Sequence, residues 1–279
     1  YVEEAARRRD ILGPAWRLDF ATTTLDWRVA TRLCFDGLAA LGTALAVAPL
    51  TAFLDRGITE SAAGGKRLWA TVFASACEAA ARPLAFLRSP QFFWPFLLYF
   101  GTYVVANASE TVCEDLLDVD KAGPQLLAAT GTNMALAVAK DRAFARLYGT
   151  IAPTKLPSAS YLCWLARDLS SMYFFFTLPP LVVKAADAFS GAEPKDDSKY
   201  TASAARFLSP VAAQLVTTPF HLLGLDAYNR RTATLPDRAA FLRSQFPVAI
   251  GARVARIMPA YSFGGLVNAN IRAAAPSPR

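Results

Sequence analysis

Six stretches of the chain contain no Asp, Glu, Lys or Arg: 37–54, 89–109, 122–139, 169–183, 207–225 and 257–271. Several reach the ~18–20 residues that a helix needs to cross a bilayer. The shorter ones reach that length by tolerating one flanking charge, such as Arg167 or Arg256. A helix of a soluble bundle needs a polar face, and residues 91–108 have almost none. The pattern therefore predicts an all-α membrane protein with six transmembrane helices.

The first, third and fifth stretches begin at 37, 122 and 207, two intervals of 85 residues. Regular spacing of this kind indicates an internal repeat. Local text agrees: Ala44-Leu45-Ala46-Val47-Ala48 recurs as Ala135-Leu136-Ala137-Val138-Ala139, and Leu165-Ala166-Arg167-Asp168 echoes Val254-Ala255-Arg256-Ile257. The six helices are thus expected as three two-helix repeats, at about 26–112, 113–186 and 201–273. Outside them lie an N-terminal arm over 1–25, a polar loop over 187–200 and a tail over 274–279. The chain opens at Tyr1 without Met, as expected of a processed form.

Charge orients the helices. The within-pair segments 55–88, 140–155 and 226–253 carry net charges of +2, +3 and +3, against −4 for 110–121 and 0 for 184–206. Lys and Arg accumulate on the cytosolic or matrix side of a membrane, so the within-pair loops belong there and both termini lie opposite. Within those loops, 68–86 and 236–246 mix Trp, Phe and Leu with Arg at roughly helical spacing, the composition of short helices lying on a membrane surface.

Composition narrows the function classes. Hydrophobic residues make up 54% of the 279 and charged residues 18%, where a soluble domain has about 25% charged. Cys34, Cys77, Cys113 and Cys163 are too few and too scattered for a disulfide framework or a CxxC site. The net charge is +7, but the basic residues are not interleaved with aromatics in a nucleic-acid recognition pattern. Arg7-Arg8-Arg9 reads as a solvated face, so no nucleic-acid partner is expected. No nucleotide-binding or hydrolase motif occurs. One histidine and four dispersed cysteines supply neither a metal site nor a His-based triad. No enzyme, cofactor or metal is expected.

Three tandem repeats, each with an odd helix, a basic amphipathic loop and an even helix, and with a Pro ending the odd helix in the first and third, resemble the mitochondrial carrier family over roughly 26–273. The resemblance is strongest at Ala252-Arg253-Val254-Ala255-Arg256-Ile257-Met258-Pro259-Ala260 and at Leu165-Ala166-Arg167-Asp168. It implies a six-helix, mitochondrial-carrier-like barrel around a central cavity in the mitochondrial inner membrane, with the outer membrane as the lesser alternative. Such carriers end each odd helix with P-x-[D/E]-x-x-[K/R]-x-[K/R], whose charges close the cavity on the matrix side. Here Pro49 and Arg56 remain in the first repeat, with Thr51 and Leu54 at the charged positions. Pro219 remains in the third, with His221 and Gly224 there. The second repeat has no Pro, and one register keeps Asp141 and Arg146. On the opposite side, Asn268-Ala269-Asn270-Ile271-Arg272 retains only the final base. No register restores a ring of charges.

Under the resemblance, Arg167, Asp168 and Arg256 occupy substrate-contact positions, and charges within membrane spans are costly enough to imply a role. The competing reading is a structural ion network filling a collapsed cavity. His221, the single histidine, reads first as a hydrogen-bonding structural residue, and Pro49 and Pro219 as helix kinks. Pro179-Pro180 should break the fourth helix. Basic loops beside helix N-termini near Gly149 and Gly251 suit an anionic phosphate, so cardiolipin or another anionic lipid is expected there. Lost gates favour a structural accessory subunit of a respiratory complex or ATP synthase, with other membrane subunits as partners. The retained Arg and Asp favour the alternative, a solute carrier exchanging an anionic or zwitterionic metabolite.

Overall fold

A computed structural model describes residues 27–64, 67–150, 155–174, 178, 181–185, 197–259 and 263–276, with the backbone alone for 197–207, 258 and 259. The expected arm over 1–25, the break at Pro179-Pro180 and most of the polar loop over 187–200 lie outside the described residues. Among the described residues the protein is helical, with no strand.

The helices are α1 (Trp27–Ala62), α2 (Leu68–Ala81), α3 (Pro83–Leu87), α4 (Pro90–Thr111), α5 (Ala122–Tyr148), α6 (Ser158–Met172), α7 (Asp197–Asn229), α8 (Leu235–Pro259) and α9 (Gly265–Ala273). Local chemistry sets several of their ends. Ser89 caps α4 by accepting from the Phe92 amide at 3.3 Å, with Pro90 in the first turn. Such a cap satisfies one of the amides that a helix start leaves unpaired. A π-helical turn over Val112–Leu116 ends that helix, and Asp118 follows at φ 50.

α1 packs against α4, α4 against α5, α5 against α6, α6 against α7 and α7 against α8; α8 and α9 return to α1. The helices thus close a ring, although its pairs are unequal. The expected sixth span is divided: α8 runs without interruption from Leu235 to Pro259, and α9 is a separate helix. The surface helix expected over 236–246 is the first part of α8, whose Ala-, Leu- and Arg-rich text favours a helix and which continues through Pro247 and Gly251. The surface helix expected over 68–86 is found as α2 and α3.

The helix faces are inverted relative to a water-soluble bundle. α1 buries Asp36, Ala40, Thr43, Ala44, Val47, Thr51 and Asp55, and turns Leu38, Leu41 and Leu45 outward. Small and polar residues inside with leucines outside is the arrangement of helices packed in lipid. Leu126 and Leu127 on α5, Leu162, Leu165 and Leu169 on α6, and Leu208 and Leu215 on α7 are likewise exposed. α1 is the one helix among the described residues that by length and apolarity qualifies clearly as a membrane span.

Two glycines permit close helix approach. A Cβ on Gly101 would lie 2.5 Å from Leu136 Cδ1, where α4 crosses α5, and one on Gly224 would lie 2.2 Å from Trp164 Nε1, where α7 crosses α6. Trp164 is fully buried, and Ser160 Oγ donates to the Gly224 carbonyl at 2.8 Å, so this crossing has no slack. Gly224→Ala is expected to destabilise the protein by about 1–3 kcal/mol through overpacking. Thermal melting of the detergent-solubilised variant checks this; an unchanged melting temperature would contradict it.

Below that crossing, Leu54, Ile58, Leu68, Ala145, Trp164, Leu222, Leu225, Tyr228 and Ala252 form one apolar cluster. It draws on α1, α2 and α5–α8 and plugs the ring at the end carrying the within-pair segments.

Candidate functional site: a cavity over a buried ion network

A layer of charge lies directly on the apolar plug. Lys140 Nζ bridges Asp55 Oδ2 at 2.6 Å and Asp141 Oδ1 at 2.7 Å. The second oxygen of Asp141 pairs with Arg167 Nη1. Arg167 also holds Asp168 by two bonds, Nε to Oδ1 at 2.7 Å and Nη2 to Oδ2 at 2.9 Å. This two-pronged geometry is specific to a guanidinium against a carboxylate. Arg256 Nη1 reaches Asp55 Oδ1 at 2.8 Å. His221 Nδ1 lies 2.8 Å from Arg167 Nη1. An arginine has only hydrogens to give, so Nδ1 accepts and the ring is the neutral Nε2–H form. Five helices, α1 and α5–α8, are tied together at this level.

Arg253, one turn from Arg256 on α8, differs from the rest. It is buried, yet Nε donates to Gln214 Oε1 at 2.9 Å and Nη2 to Thr217 Oγ1 at 3.4 Å. Both partners are neutral, so among the described residues no carboxylate forms a direct ion pair with this cation. A buried charge paired only with neutral groups is unfavourable, and the space beside it is suited to an anion.

That space is a cavity of about 290 Å³. Its charged floor is Lys140, Arg167, Asp168, Arg253 and Arg256; its walls include Tyr99, Thr102, Tyr103, Asn133 and Gln214, with apolar surface from Leu98, Met172 and Ile257. A few convergent polar groups on a largely apolar wall is the usual make-up of a small-molecule site. Arg253 and Arg256, with the carboxylate of Asp168 facing the same cavity, can hold a zwitterion's carboxylate and ammonium together.

A second charged layer ties α1, α4, α5 and α9 near the opposite end. Arg272 donates to Asp36 Oδ1 at 2.7 Å and to Glu110 Oε2 at 2.7 Å. Lys121 joins Glu110 at 2.6 Å and Glu114 at 2.8 Å. Hydrogen bonding to Glu110, and then to Glu114, holds the Lys121 ammonium above its ordinary pKa. Asn107 and Asn268 exchange hydrogen bonds at 2.7 and 3.2 Å. Asp36 and Asp55 stand 19 residues apart on α1, about 28 Å along its axis, which is close to the ~30 Å hydrocarbon thickness.

The expected site residues are distributed as follows. Arg167, Asp168 and Arg256 line the cavity, and Asp141 and His221 lie in the network beneath it. Arg56 lies elsewhere: it pairs with Glu60 at 2.8 Å and Glu78 at 3.1 Å and ties α1 to α2. Arg146, beside Arg142, borders a separate groove with Pro90 and Trp94. Pro49 and Pro219 sit inside α1 and α7, which continue through them. Neither expected lipid-site glycine opens a helix: Gly149 is the C-terminal cap of α5, its amide bonded to Ala145 O at 3.0 Å, and Gly251 lies within α8.

The expectation that no ring of charges survives is corrected. The inner network forms one helical turn beyond the motif position, at Asp55 rather than Thr51, and Lys140 answers it from α5. At the opposite end Arg272 finds its partners in Asp36 and Glu110, outside the expected motif. Asp55, Lys140, Gln214, Thr217 and Arg253 were not among the expected site residues. A signal for the first pair existed, since 55 and 140 are separated by the same 85 residues as the repeat.

No curated protein matches the chain. A family model described as probable citrulline exporter matches residues 39–275, which takes in the cavity, the inner ion network and all of the outer charged layer except Asp36. This match overturns two expectations. The likeness to mitochondrial carriers rested on repeat spacing and on motifs that are broken at most of their charged positions, and no carrier family matches. The reading as a structural accessory subunit of a respiratory complex or ATP synthase rested on gates thought to be lost, and the matched family is one of transporters. The matched family and the apolar helices identify a membrane protein; the inner mitochondrial membrane was implied by the carrier likeness. With well over half of its length matched, the chain belongs to the probable citrulline exporter family.

Proposed function

We propose that the protein is a membrane transporter carrying a zwitterionic amino acid with an uncharged, hydrogen-bonding side chain, citrulline being the member of that class that the family's description names. The observation that carries this reading is Arg253, buried at the cavity without a carboxylate partner. With Arg256 it offers a two-cation seat for the α-carboxylate, and Asp168 offers one for the α-ammonium. Tyr99 and Asn133 supply donors and acceptors for a ureido group. The cavity lies between an apolar plug on one side and the Asp36–Arg272–Glu110 layer toward the other. Transport by alternating access requires two closures whose stabilities differ between states, and two ion-paired layers are suited to that task. The direct test is uptake of labelled citrulline by the reconstituted protein, with loss of uptake in Arg253→Gln.

In this proposal the ring crosses the membrane six times, with the basic within-pair segments on the matrix or cytosolic side, as the outward leucines of α1, α5, α6 and α7 and the loop charges favour. We keep the mitochondrial inner membrane as the proposed location, to be tested by fractionation, and anionic lipid as the proposed partner of the basic side. A membrane-impermeant thiol reagent should label cysteines introduced at Ser190 and Ser277 from the same face. Labelling from opposite faces would rule out six spans.

A further inference from the structure

Counting charge at the cavity and its floor gives an imbalance. Lys140, Arg167, Arg253 and Arg256 supply four cations against the three carboxylates of Asp55, Asp141 and Asp168, while His221 accepts from Arg167 and is neutral. Asp55 and Asp141 are each held between two cations, and Asp168, bonded at both oxygens by Arg167, has only its remaining lone pairs free, the seat assigned above to the α-ammonium. Among the described residues lining the upper cavity there is no further carboxylate. A zwitterion leaves this excess of one unchanged. A second positive charge, on the ligand's side chain, would be added to it in a site of low dielectric, where like charges repel strongly.

The far wall has a neutral reader. Asn133 lies seven residues before Lys140 on α5, hence on the same helix face and about 10 Å along the axis; both line the cavity. Its Nδ2 gives one hydrogen to Thr102 Oγ1 at 3.2 Å. The second N–H and the amide oxygen are left for a ligand, a donor–acceptor pair that matches a ureido group or a primary amide and offers an ammonium no counter-charge.

Building on the transport reading above, we infer that the cavity discriminates by side-chain charge, passing amino acids with neutral amide-like side chains and excluding cationic ones, with Asn133 as the specificity-determining residue. The test is competition against labelled citrulline in proteoliposomes, using glutamine, lysine and ornithine as competitors. Glutamine should compete effectively, while lysine and ornithine should be weaker by at least about tenfold, the factor that corresponds to about 1.4 kcal/mol. Asn133→Asp places a carboxylate on the far wall and should narrow or reverse that ratio. Lysine competing as well as glutamine with the wild type would overturn the inference and leave the transport reading standing. Saturable citrulline uptake missing altogether would defeat the transport reading, and this inference with it. If Asn133→Asp does not fold, the wild-type series decides alone.

Discussion

Arg167→Leu is expected to deplete the folded protein, at a cost of about 3–5 kcal/mol, the usual penalty for removing one partner of a buried ion pair. Arg167 is bonded to Asp141, Asp168 and His221 at once. Its loss leaves the buried Asp168 with no cation and Asp141 with Lys140 alone. The double change Arg167→Leu with Asp168→Leu should recover part of the loss, because it removes the stranded carboxylate while Lys140 still serves Asp141 and Asp55. Abundance in membranes and melting of the solubilised protein report both effects. A single variant as stable as the wild type, or a double variant no better than the single, would contradict the network as described.

Arg253→Gln is expected to behave in the opposite way. The partners of Arg253 are the neutral Gln214 and Thr217, so removing the charge strands no carboxylate, and the fold should persist with near wild-type melting. Citrulline transport should fall, because the α-carboxylate loses its unpaired cation. Truncating one side of a buried, hydrogen-bonded charge pair costs about 2–5 kcal/mol of binding, or at least about thirtyfold. The two arginines line one cavity from α6 and α8, on either side of α7, and the contrast between stability lost and transport lost separates network from binding residue. A folded Arg253→Gln protein with unaltered uptake would remove Arg253 from the substrate site.

Much of this arrangement was legible in the sequence at the level of helices. Runs free of charge marked the cores of α1, α4, α5 and α7. Three things stayed hidden. α8 is one helix, but charge-free runs end a span at the first arginine, so Arg253 was assigned to a basic loop and only Arg256 to the site. A helix lining a polar cavity must carry charges on one face, as Arg253 and Arg256 do at a spacing of three, and such a helix looks loop-like to a hydropathy count. The gate motif places its acid at Thr51, whereas the carboxylate that pairs with Lys140 stands one turn further on, at Asp55. Finally, Asp36, Glu110 and Arg272 come together across 236 residues of sequence, a pairing that no local pattern encodes.

In the proposed function, the cavity over the ion network binds and carries a zwitterionic amino acid through Arg253. Uptake of labelled citrulline into liposomes containing the purified protein tests it most directly, with protein-free liposomes and folded Arg253→Gln as comparisons. Saturable uptake by the wild type is expected, suppressed by unlabelled citrulline and reduced at least about thirtyfold in Arg253→Gln. Uptake equal to that of protein-free liposomes, from a wild-type protein shown to be folded, would contradict it.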